Sequence, residues 1–105
     1  MRVKALGVAN QELHFEWDPP KALDNIREHG VSFEEAQTVF DDPLAQDIDD
    51  PRYEEDRYVI RGLASYKGKL RYLVVGYTQR GPNIRIITAW KMSPDERRDY
   101  ANGPR

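Results

Sequence analysis

The stretch from Asn83 to Lys91 constrains the fold of this 105-residue chain most strongly, because it is the most β-prone run in the sequence. It holds three isoleucines, a threonine and a tryptophan, all residue types that favour strands. Apolar residues occupy both faces for most of its length, which predicts a central strand covered on both sides. Arg85 and Lys91 lie an even number of residues apart, so regular alternation predicts that both cations project from one face.

Length and composition predict a single soluble domain spanning residues 1–105. The sequence contains no cysteine, which excludes disulfides and thiolate metal sites. No apolar run approaches the roughly 18 residues needed to cross a bilayer, and the N-terminal stretch lacks the apolar core of a signal peptide. We therefore expect a cytoplasmic protein with no membrane association, in which residues 1–11 form a loose extension or a short extra strand.

The net charge of −2 conceals a strong asymmetry between the two halves of the chain. Residues 1–56 hold 5 Lys/Arg and 15 Asp/Glu, whereas residues 57–105 hold 11 Lys/Arg and 3 Asp/Glu. A basic half of this kind indicates a surface for an anionic partner, of which nucleic acid is the commonest. Neutralisation of one half by the other across the folded surface explains the same asymmetry equally well.

The N-terminal third predicts a strand followed by two short helices. Alternation across residues 12–17 indicates a half-buried strand at a sheet edge. Asp18 and Pro19 then begin a helix, with aspartate as the cap and proline at the first helical position, and Gly30 ends it. The predicted buried stripe of this helix consists of Ala22, Leu23 and Ile26.

A second helix is predicted immediately after Gly30. Ser32 and Glu35 have the spacing of a capping box, in which serine bonds forward and glutamate bonds back. The predicted core face consists of Phe33, Ala36, Val39 and Phe40. The acidic segment 41–56 that follows is predicted as a loop, with only a weak strand pattern around Leu44–Ile48.

After the acidic segment the apolar pattern takes a period of two. Arg57–Ser65, Lys69–Thr78 and Ile84–Lys91 are predicted strands, and the short turns between them indicate an antiparallel meander. Ser93 and Glu96 form a second capping box, which begins a C-terminal helix. The predicted fold is therefore α+β: a strand, two helices, a three-strand meander and a helix, with the helices packed on one face of an antiparallel sheet.

Ten Lys/Arg between Arg57 and Arg98 are accompanied by only two acids, and aromatic residues are interleaved with them. Cations hold phosphates and aromatic rings stack on bases, so this mixture favours a surface for single-stranded or looped RNA. The residues that we predict to contact RNA are Arg57, Arg61, Tyr77 and Trp90. Exposed sheet faces also carry Tyr and Arg without any ligand, and that interpretation stays open.

No metal or cofactor signature is present in the sequence, and His14 and His29 lack a paired ligand spacing. Metal-free RNA cleavage needs a base for the 2′-hydroxyl, an acid for the leaving 5′-oxygen and cations on the phosphate. Arginine suits the third task because its fork matches phosphate oxygens, but it stays protonated and is a poor base. For proton transfer the sequence leaves open Lys91, Tyr77, Glu28 and His29.

Several motifs resemble the signature of BrnT-family toxins. The N-terminal block comprises Glu16-Trp17-Asp18-Pro19, Lys21, Asn25, His29-Gly30-Val31-Ser32-Phe33-Glu34-Glu35-Ala36, Val39-Phe40 and Asp42-Pro43. The C-terminal matches are Arg57-Tyr58, Gly62, Val74-Val75, Arg80-Gly81, Ile84-Arg85-Ile86-Ile87, Glu96-Arg97 and Tyr100. Together they span roughly residues 13–100, nearly the whole chain.

The resemblance implies a RelE-like ribonuclease fold and the toxin half of a type II toxin–antitoxin pair. Such toxins cleave RNA without a metal or other cofactor and stop translation, and a small DNA-binding antitoxin neutralises them. For this chain the resemblance implies a BrnA-like antitoxin partner and a toxin–antitoxin hetero-oligomer. The family's motif cations carry over to Arg80, Arg85, Lys91 and Arg97, which become the predicted catalytic residues.

One position departs from the family pattern. Where the related strand typically continues as Ile-Ser-Ala-Arg, this chain has Ile87-Thr88-Ala89-Trp90. Loss of one charge-assisted phosphate contact costs on the order of 1.5–3 kcal/mol, or roughly tenfold to a hundredfold in rate. The leading hypothesis is therefore an RNA-cleaving toxin. The second is a catalytically weakened or inactive member that binds antitoxin and nucleic acid.

Overall fold

The computed structural model describes residues 13–48 and 57–103. The strands are β1 (His14–Glu16), β2 (Gln46–Ile48), β3 (Arg57–Tyr66), β4 (Lys69–Arg80) and β5 (Asn83–Lys91). The helices are α1 (Pro19–His29), α2 (Phe33–Gln37), a 3-10 helix directly after it (Thr38–Asp41), and α3 (Pro94–Asn102). This order confirms the predicted α+β class. The predicted N-terminal extension, residues 1–11, and the acidic stretch 49–56 lie outside the described residues.

The five strands form one mixed sheet in the order β1-β5-β4-β3-β2, so the prediction of an antiparallel sheet is wrong at one strand. β3, β4 and β5 form the predicted antiparallel meander, and the short β2 adds to it at one edge. β1 instead pairs with β5 in parallel. Short hairpin turns dictate antiparallel pairing, whereas the long connection from β1 to β5 permits either direction. Periodicity predicts that β1 lies at an edge, which is confirmed, but it carries no information on direction.

The two faces of the sheet are covered by different helices. The main core lies between the sheet and the α1–α2 side, and its buried members include Phe33, Phe40, Leu73, Val75 and Ile86. The second cluster lies on the other face and consists of Val59, Val74 and Met92, with Ile48, Tyr72, Trp90 and Tyr100 packed against it. Because Tyr100 belongs to α3, this helix covers the face opposite α1 and α2. The prediction that the helices pack on one face is therefore wrong for α3.

A β-bulge interrupts β5 in its middle. Tyr77 on β4 pairs with Ile86, but the preceding Gly76 pairs with Thr88, so Ile87 is an extra residue without a partner on β4. Gly76 suits this position, because a Cβ added there would lie 2.9 Å from the Thr88 methyl carbon. The bulge shifts the alternation of side chains in the second half of β5 by one residue.

This shift separates the two cations of β5. Ile86 and Ala89 are three residues apart and both lie in the main core, which regular alternation forbids. Arg85 therefore projects away from the main core, whereas Lys91 projects to the same side as Ala89. The prediction that both cations share one face is wrong. Coverage also differs from the prediction: Ile84, Ile86 and Ala89 are buried towards the main core, the residues on the other face are half-buried, and Lys91 at the strand end is exposed.

Helix α1 packs through a different stripe from the predicted one. Leu23 is 57% exposed and Ile26 is 46% exposed, whereas Asn25 is 5% exposed and Ala22 packs against the main core. At 3.6 residues per turn, a helix that directs positions 22 and 25 to the sheet leaves positions 23 and 26 outside. The polar Asn25 occupies the inner position because its amide group meets the backbone of β5.

The Asn25 side chain takes the place of a neighbouring strand along the second half of β5. Among the described residues, β1 pairs with β5 only from Asn83 to Arg85, so the β1 side of β5 has no strand partner beyond that point. Asn25 Oδ1 accepts from Ala89 N at 3.1 Å, and Nδ2 donates to Ala89 O and Val31 O, both at 2.9 Å. One side chain therefore holds α1, the turn after α1 and β5 together.

The helix caps follow the predictions in part. Asp18 has the extended backbone of a cap, but its side chain forms no capping hydrogen bond, so that part of the prediction is wrong. Ser32 Oγ accepts from Glu35 N at 3.0 Å, as predicted, whereas the Glu35 carboxylate accepts from Arg71 Nε at 2.7 Å instead of bonding back to the cap. This partly buried ion pair ties α2 to β4. The capping box at the start of α3 is complete, as predicted.

Candidate functional site

A row of polar residues crosses four strands on the face opposite the main core. Glu16 on β1 pairs with Arg85 on β5, Arg85 with Thr78 on β4, and Thr78 with Arg57 on β3. Phe15 packs on the main core, so the adjacent Glu16 and its paired neighbours face the other way. Neighbouring strands lie roughly 4.8 Å apart, so the row collects its charges within roughly 15 Å.

The row borders an open cavity of about 420 Å³, which we call the cationic cavity. Its four cations come from α1, β3, β4 and β5 and are Lys21, Arg57, Arg80 and Arg85. The other lining residues are Thr78, Gln79 and Ile87. Within residues 13–48 and 57–103, Lys21, Arg57 and Arg80 form no ion pair. Positive charge therefore predominates among the described residues that line this cavity.

Two hydrogen bonds hold Glu16 beside the cationic cavity. Its Oε1 accepts from Asn83 Nδ2 at 2.8 Å, and its Oε2 accepts from Arg85 Nη1 at 2.7 Å. The bonds from Asn83 and Arg85, followed by the charges of Arg85 and Arg80, lower the pKa of the Glu16 carboxyl below its ordinary value. The side chains of Arg85 and Glu16 remain 28% and 30% exposed, so a ligand can reach both.

Lys91 lies at the other end of β5. The six residues from Arg85 to Lys91 cover roughly 20 Å at about 3.3 Å per residue. A second open cavity, of about 660 Å³, is found there, and we call it the mixed cavity. Its lining residues are Glu28, His29, Trp90, Lys91 and Glu96. One lysine, two carboxylates and two rings make this cavity far less attractive to a phosphate than the cationic cavity.

Trp90 belongs to the mixed cavity and to the second hydrophobic cluster. It pairs with Val74 across the sheet, and its ring centroid lies 6.4 Å from that of His29. The position at which the related strand typically carries arginine is thus remote from the cationic cavity. Tryptophan at this position removes no cation from that cavity.

Arg61 and Arg97 have partners close to α3. Arg61 Nε donates to Gln46 Oε1 at 2.8 Å, and Arg61 Nη1 lies 4.0 Å from Asp99 Oδ2. The guanidinium of Arg97 lies 4.5 Å from the centroid of the Tyr72 ring, in a cation–π contact. Neither side chain lines the cationic cavity. Both arginines therefore hold α3 and its surroundings against the sheet.

Tyr77 is part of the main core. Its side chain is 1% exposed, and its ring centroid lies 5.1 Å from that of Phe40 and 5.5 Å from that of Tyr58. The hydroxyl donates to Asp47 Oδ1 at 3.0 Å. A base has no access to this ring, so the structure contradicts the prediction that Tyr77 contacts RNA.

Of the residues predicted from the sequence, the cationic cavity brings together Arg57, Arg80 and Arg85, and the mixed cavity brings together Trp90 and Lys91. The sequence patterns gave no role to Glu16 or Lys21, although both belong to the block that resembles the BrnT signature. A glutamate in a three-residue strand and a lysine in the first turn of a helix carry no local signal. Only the parallel register of β1 and the approach of α1 bring them to the arginines.

Two absences hold for the part of the chain that the structure describes. No group of three or more His, Asp or Glu side chains is arranged to hold a metal ion. No helix is long and apolar enough to cross a membrane.

The fold and the cationic cavity define a small α+β protein with concentrated positive charge on an open sheet face. Residues 17–96 match the family described as the ribonuclease toxin BrnT of type II toxin–antitoxin systems. The match covers well over half of the chain, which therefore belongs to the BrnT family of ribonuclease toxins. Membership implies an antitoxin partner and confirms the resemblance found in the sequence. Among curated proteins, none matches the chain.

Proposed function

We propose that this toxin cleaves RNA without a metal ion and that the cationic cavity binds the scissile phosphate. The observation that carries the proposal is the convergence of four cations from four different elements on one cavity. Phosphoryl transfer concentrates negative charge on the phosphate oxygens, and fixed cations stabilise that charge best in the transition state. Arginine forks match those oxygens with two parallel hydrogen bonds.

Arg85 is the central residue of the proposed site. Glu16 fixes one of its nitrogens at 2.7 Å, and the other N–H donors of the guanidinium stay available to a phosphate. Arg57 and Arg80 flank it from β3 and β4, and Lys21 adds a point charge from α1. In this proposal the four side chains neutralise the phosphate, which is one of the tasks that a metal ion performs in other nucleases.

The remaining predicted residues take different parts in the proposal. Lys91 and Trp90 form an outlying RNA contact, with a charge for a phosphate and a ring for a base. Arg61 and Arg97 support α3 and make no direct contact with RNA. The non-catalytic alternative depended on a cation missing at position 90, and the separation of that position from the cationic cavity removes this reason for it.

As the partner we propose a BrnA-like, DNA-binding antitoxin that forms a hetero-oligomer with the toxin. Family membership supports an antitoxin, and the cationic cavity suits an acidic antitoxin segment through charge complementarity. We also propose that the fold is of the RelE type. The order of a strand, two helices, a three-strand meander and a helix supports it.

Cleavage assays with toxin purified free of antitoxin test the proposal. We expect a mixed-sequence RNA to be cut equally well with and without excess EDTA. The double variant Arg57→Ala/Arg80→Ala, which removes two exposed cations of the cavity, should lose cleavage and RNA affinity together. Arg27→Ala/Lys69→Ala removes two exposed cations that line none of the cavities described above, and it should retain both. Cleavage that disappears in EDTA and returns with magnesium would contradict the metal-free reaction, and equal losses in both double variants would contradict the location.

A further inference from the structure

Glu16 combines three properties that a general base for RNA cleavage needs. It is hydrogen-bonded to Arg85, a cation of the cationic cavity, at 2.7 Å. Each oxygen of its carboxylate accepts one hydrogen bond in the structure, from Asn83 and from Arg85, and each keeps further acceptor capacity. Its side chain is 30% exposed, so a hydroxyl group of a bound ligand can approach it.

The four candidates that the sequence offers for proton transfer lie elsewhere. Glu28, His29 and Lys91 line the mixed cavity, at the opposite end of β5. Tyr77 is buried in the main core and donates its hydroxyl to Asp47. A base must lie within hydrogen-bond reach of the proton that it removes. A phosphate on Arg85 therefore leaves these four groups too far from the reacting 2′-hydroxyl or without access to it.

We propose that Glu16 is the general base that removes the proton from the 2′-hydroxyl of the nucleotide whose 3′-phosphate is bound by Arg85. This assignment rests on the proposed function. The 2′-oxygen attacks the phosphorus and forms a new P–O bond, and its proton passes to a Glu16 carboxylate oxygen. The P–O5′ bond breaks, and the departing 5′-oxygen takes a proton from water in the open cavity. The products are a 2′,3′-cyclic phosphate and a 5′-hydroxyl end.

The contact between Glu16 and Arg85 couples the two parts of this reaction. One guanidinium bonds the base and offers its other donors to the phosphate, so base and electrophile are held next to each other. The hydrogen bond from the Asn83 amide, followed by the hydrogen bond from Arg85 and the charges of Arg85 on β5 and Arg80 at the end of β4, keeps the Glu16 pKa below the ordinary value of 4.5. The carboxylate is therefore ionised and ready to accept a proton at neutral pH.

Glu16→Gln tests the assignment, because glutamine keeps the shape and an acceptor for Asn83 but cannot act as the base. We expect kcat to fall by about 100-fold to 10,000-fold, the usual contribution of general-base catalysis. Affinity for a 2′-deoxy oligonucleotide, which cannot react, should not fall, because the substitution removes a negative charge beside the bound phosphate. Glu16→Asp keeps a carboxylate and should recover part of the rate. Glu34→Gln, at an exposed glutamate of α2, is the matched control and should cleave at the wild-type rate.

The pH profile and the product ends separate a base from a merely structural residue. In the wild type, kcat/KM should rise with pH as Glu16 loses its proton. This rise should lie below pH 4.5, because the Glu16 pKa is lowered from that value. The rise should be absent in Glu16→Gln. Products of the wild type with 5′-phosphate and 3′-hydroxyl ends would overturn the proposal without any variant. Full activity of Glu16→Gln would also overturn it while the proposed function stands. Wild-type toxin that cuts no RNA would instead overturn the proposed function.

Discussion

The two ends of β5 both collect charged side chains, but with opposite balances of positive and negative charge. Counted over residues 13–48 and 57–103, the cationic cavity sets four cations beside the carboxylate of Glu16, whereas the mixed cavity sets one lysine beside two carboxylates. The difference comes from the elements around each end: α1, β3, β4 and β5 supply the four cations, whereas α1 and α3 supply the two carboxylates of the mixed cavity. β1 covers the first end and supplies Glu16, and the neutral amide of Asn25 covers the second. Among the described residues, the first end is therefore better suited to hold a phosphate than the second.

The comparison also shows why two cationic residues of one strand have different surroundings. Arg85 and Lys91 precede and follow the bulge at Ile87, which directs them to opposite faces of the sheet. Spacing along the chain therefore does not decide which cations act together. Register and the bulge decide it.

The largest effect should come from the pair of variants that sets the two ends against each other. Arg85→Ala should lower the rate of RNA cleavage about 100-fold to 1000-fold, as the loss of a main transition-state donor does. Lys91→Ala should lower it at most about fivefold, the equivalent of an exposed contact worth up to 1 kcal/mol. Steady-state cleavage of one RNA by both variants, with circular dichroism to verify folding, provides the measurement. A larger loss in Lys91→Ala than in Arg85→Ala would move the catalytic centre to the mixed cavity.

The next effect concerns the stability that the hydrogen bonds of Asn25 give to the second end of β5. Asn25→Ala should lower the free energy of unfolding by about 2–4 kcal/mol, because it leaves the buried N–H and C=O of Ala89 and the C=O of Val31 without a partner. Urea denaturation measures the change. The adjacent exposed residue offers the control, since Asp24→Ala should stay within about 0.5 kcal/mol of the wild type. Equal stabilities of the two variants would show that Asn25 does not replace a strand.

The fold of this chain could be predicted from local patterns wherever local physics decides it. Period-two alternation with short turns predicts the β3–β4–β5 meander, and capping residues predict the start of α3. The direction of β1 could not be predicted, because a three-residue strand far from its partner in sequence leaves parallel and antiparallel pairing open. The inner stripe of α1 could not be predicted either. Asn25 faces the sheet because its side chain hydrogen-bonds to β5, and this orientation leaves Leu23 and Ile26 exposed.

Of the candidate site, only cations could be predicted from the sequence, because local patterns carry no information on contacts between distant elements. Arg57, Arg80 and Arg85 stand out in a basic half of the chain and match family motifs. Glu16 and Lys21 depend on contacts between elements that are distant in sequence, namely β1 with β5 and α1 with the sheet. A bulge within an apolar run also leaves no signal in the sequence. The even spacing of Arg85 and Lys91 therefore led to the wrong prediction that both side chains lie on one face of the sheet.

A smaller effect should appear in the salt dependence of RNA binding. The slope of log K against log salt for a single strand changes by roughly 0.7 for each phosphate contact. Arg57→Ala should therefore reduce the slope by about 0.7, because Arg57 belongs to the cationic cavity. Arg98→Ala, which removes a cation paired with Asp95 on α3, should leave it unchanged. Fluorescence anisotropy with a 2′-deoxy oligonucleotide at several salt concentrations gives the slopes, and equal slopes for both variants would remove Arg57 from the phosphate site.

The smallest effect on cleavage is expected where the sequence departs most visibly from its family. Trp90→Arg restores the residue type that the related strand typically carries. The new cation would lie near the mixed cavity and some five residues along β5 from Arg85, roughly 15 Å away, so the cleavage rate should change by less than about fivefold. Stability should fall, because Trp90 packs on the second hydrophobic cluster with Val74. The rate of the folded variant in a cleavage assay is the measurement. An increase of tenfold or more would mean that RNA reacts beside position 90, and the roles of the two ends of β5 would have to be exchanged.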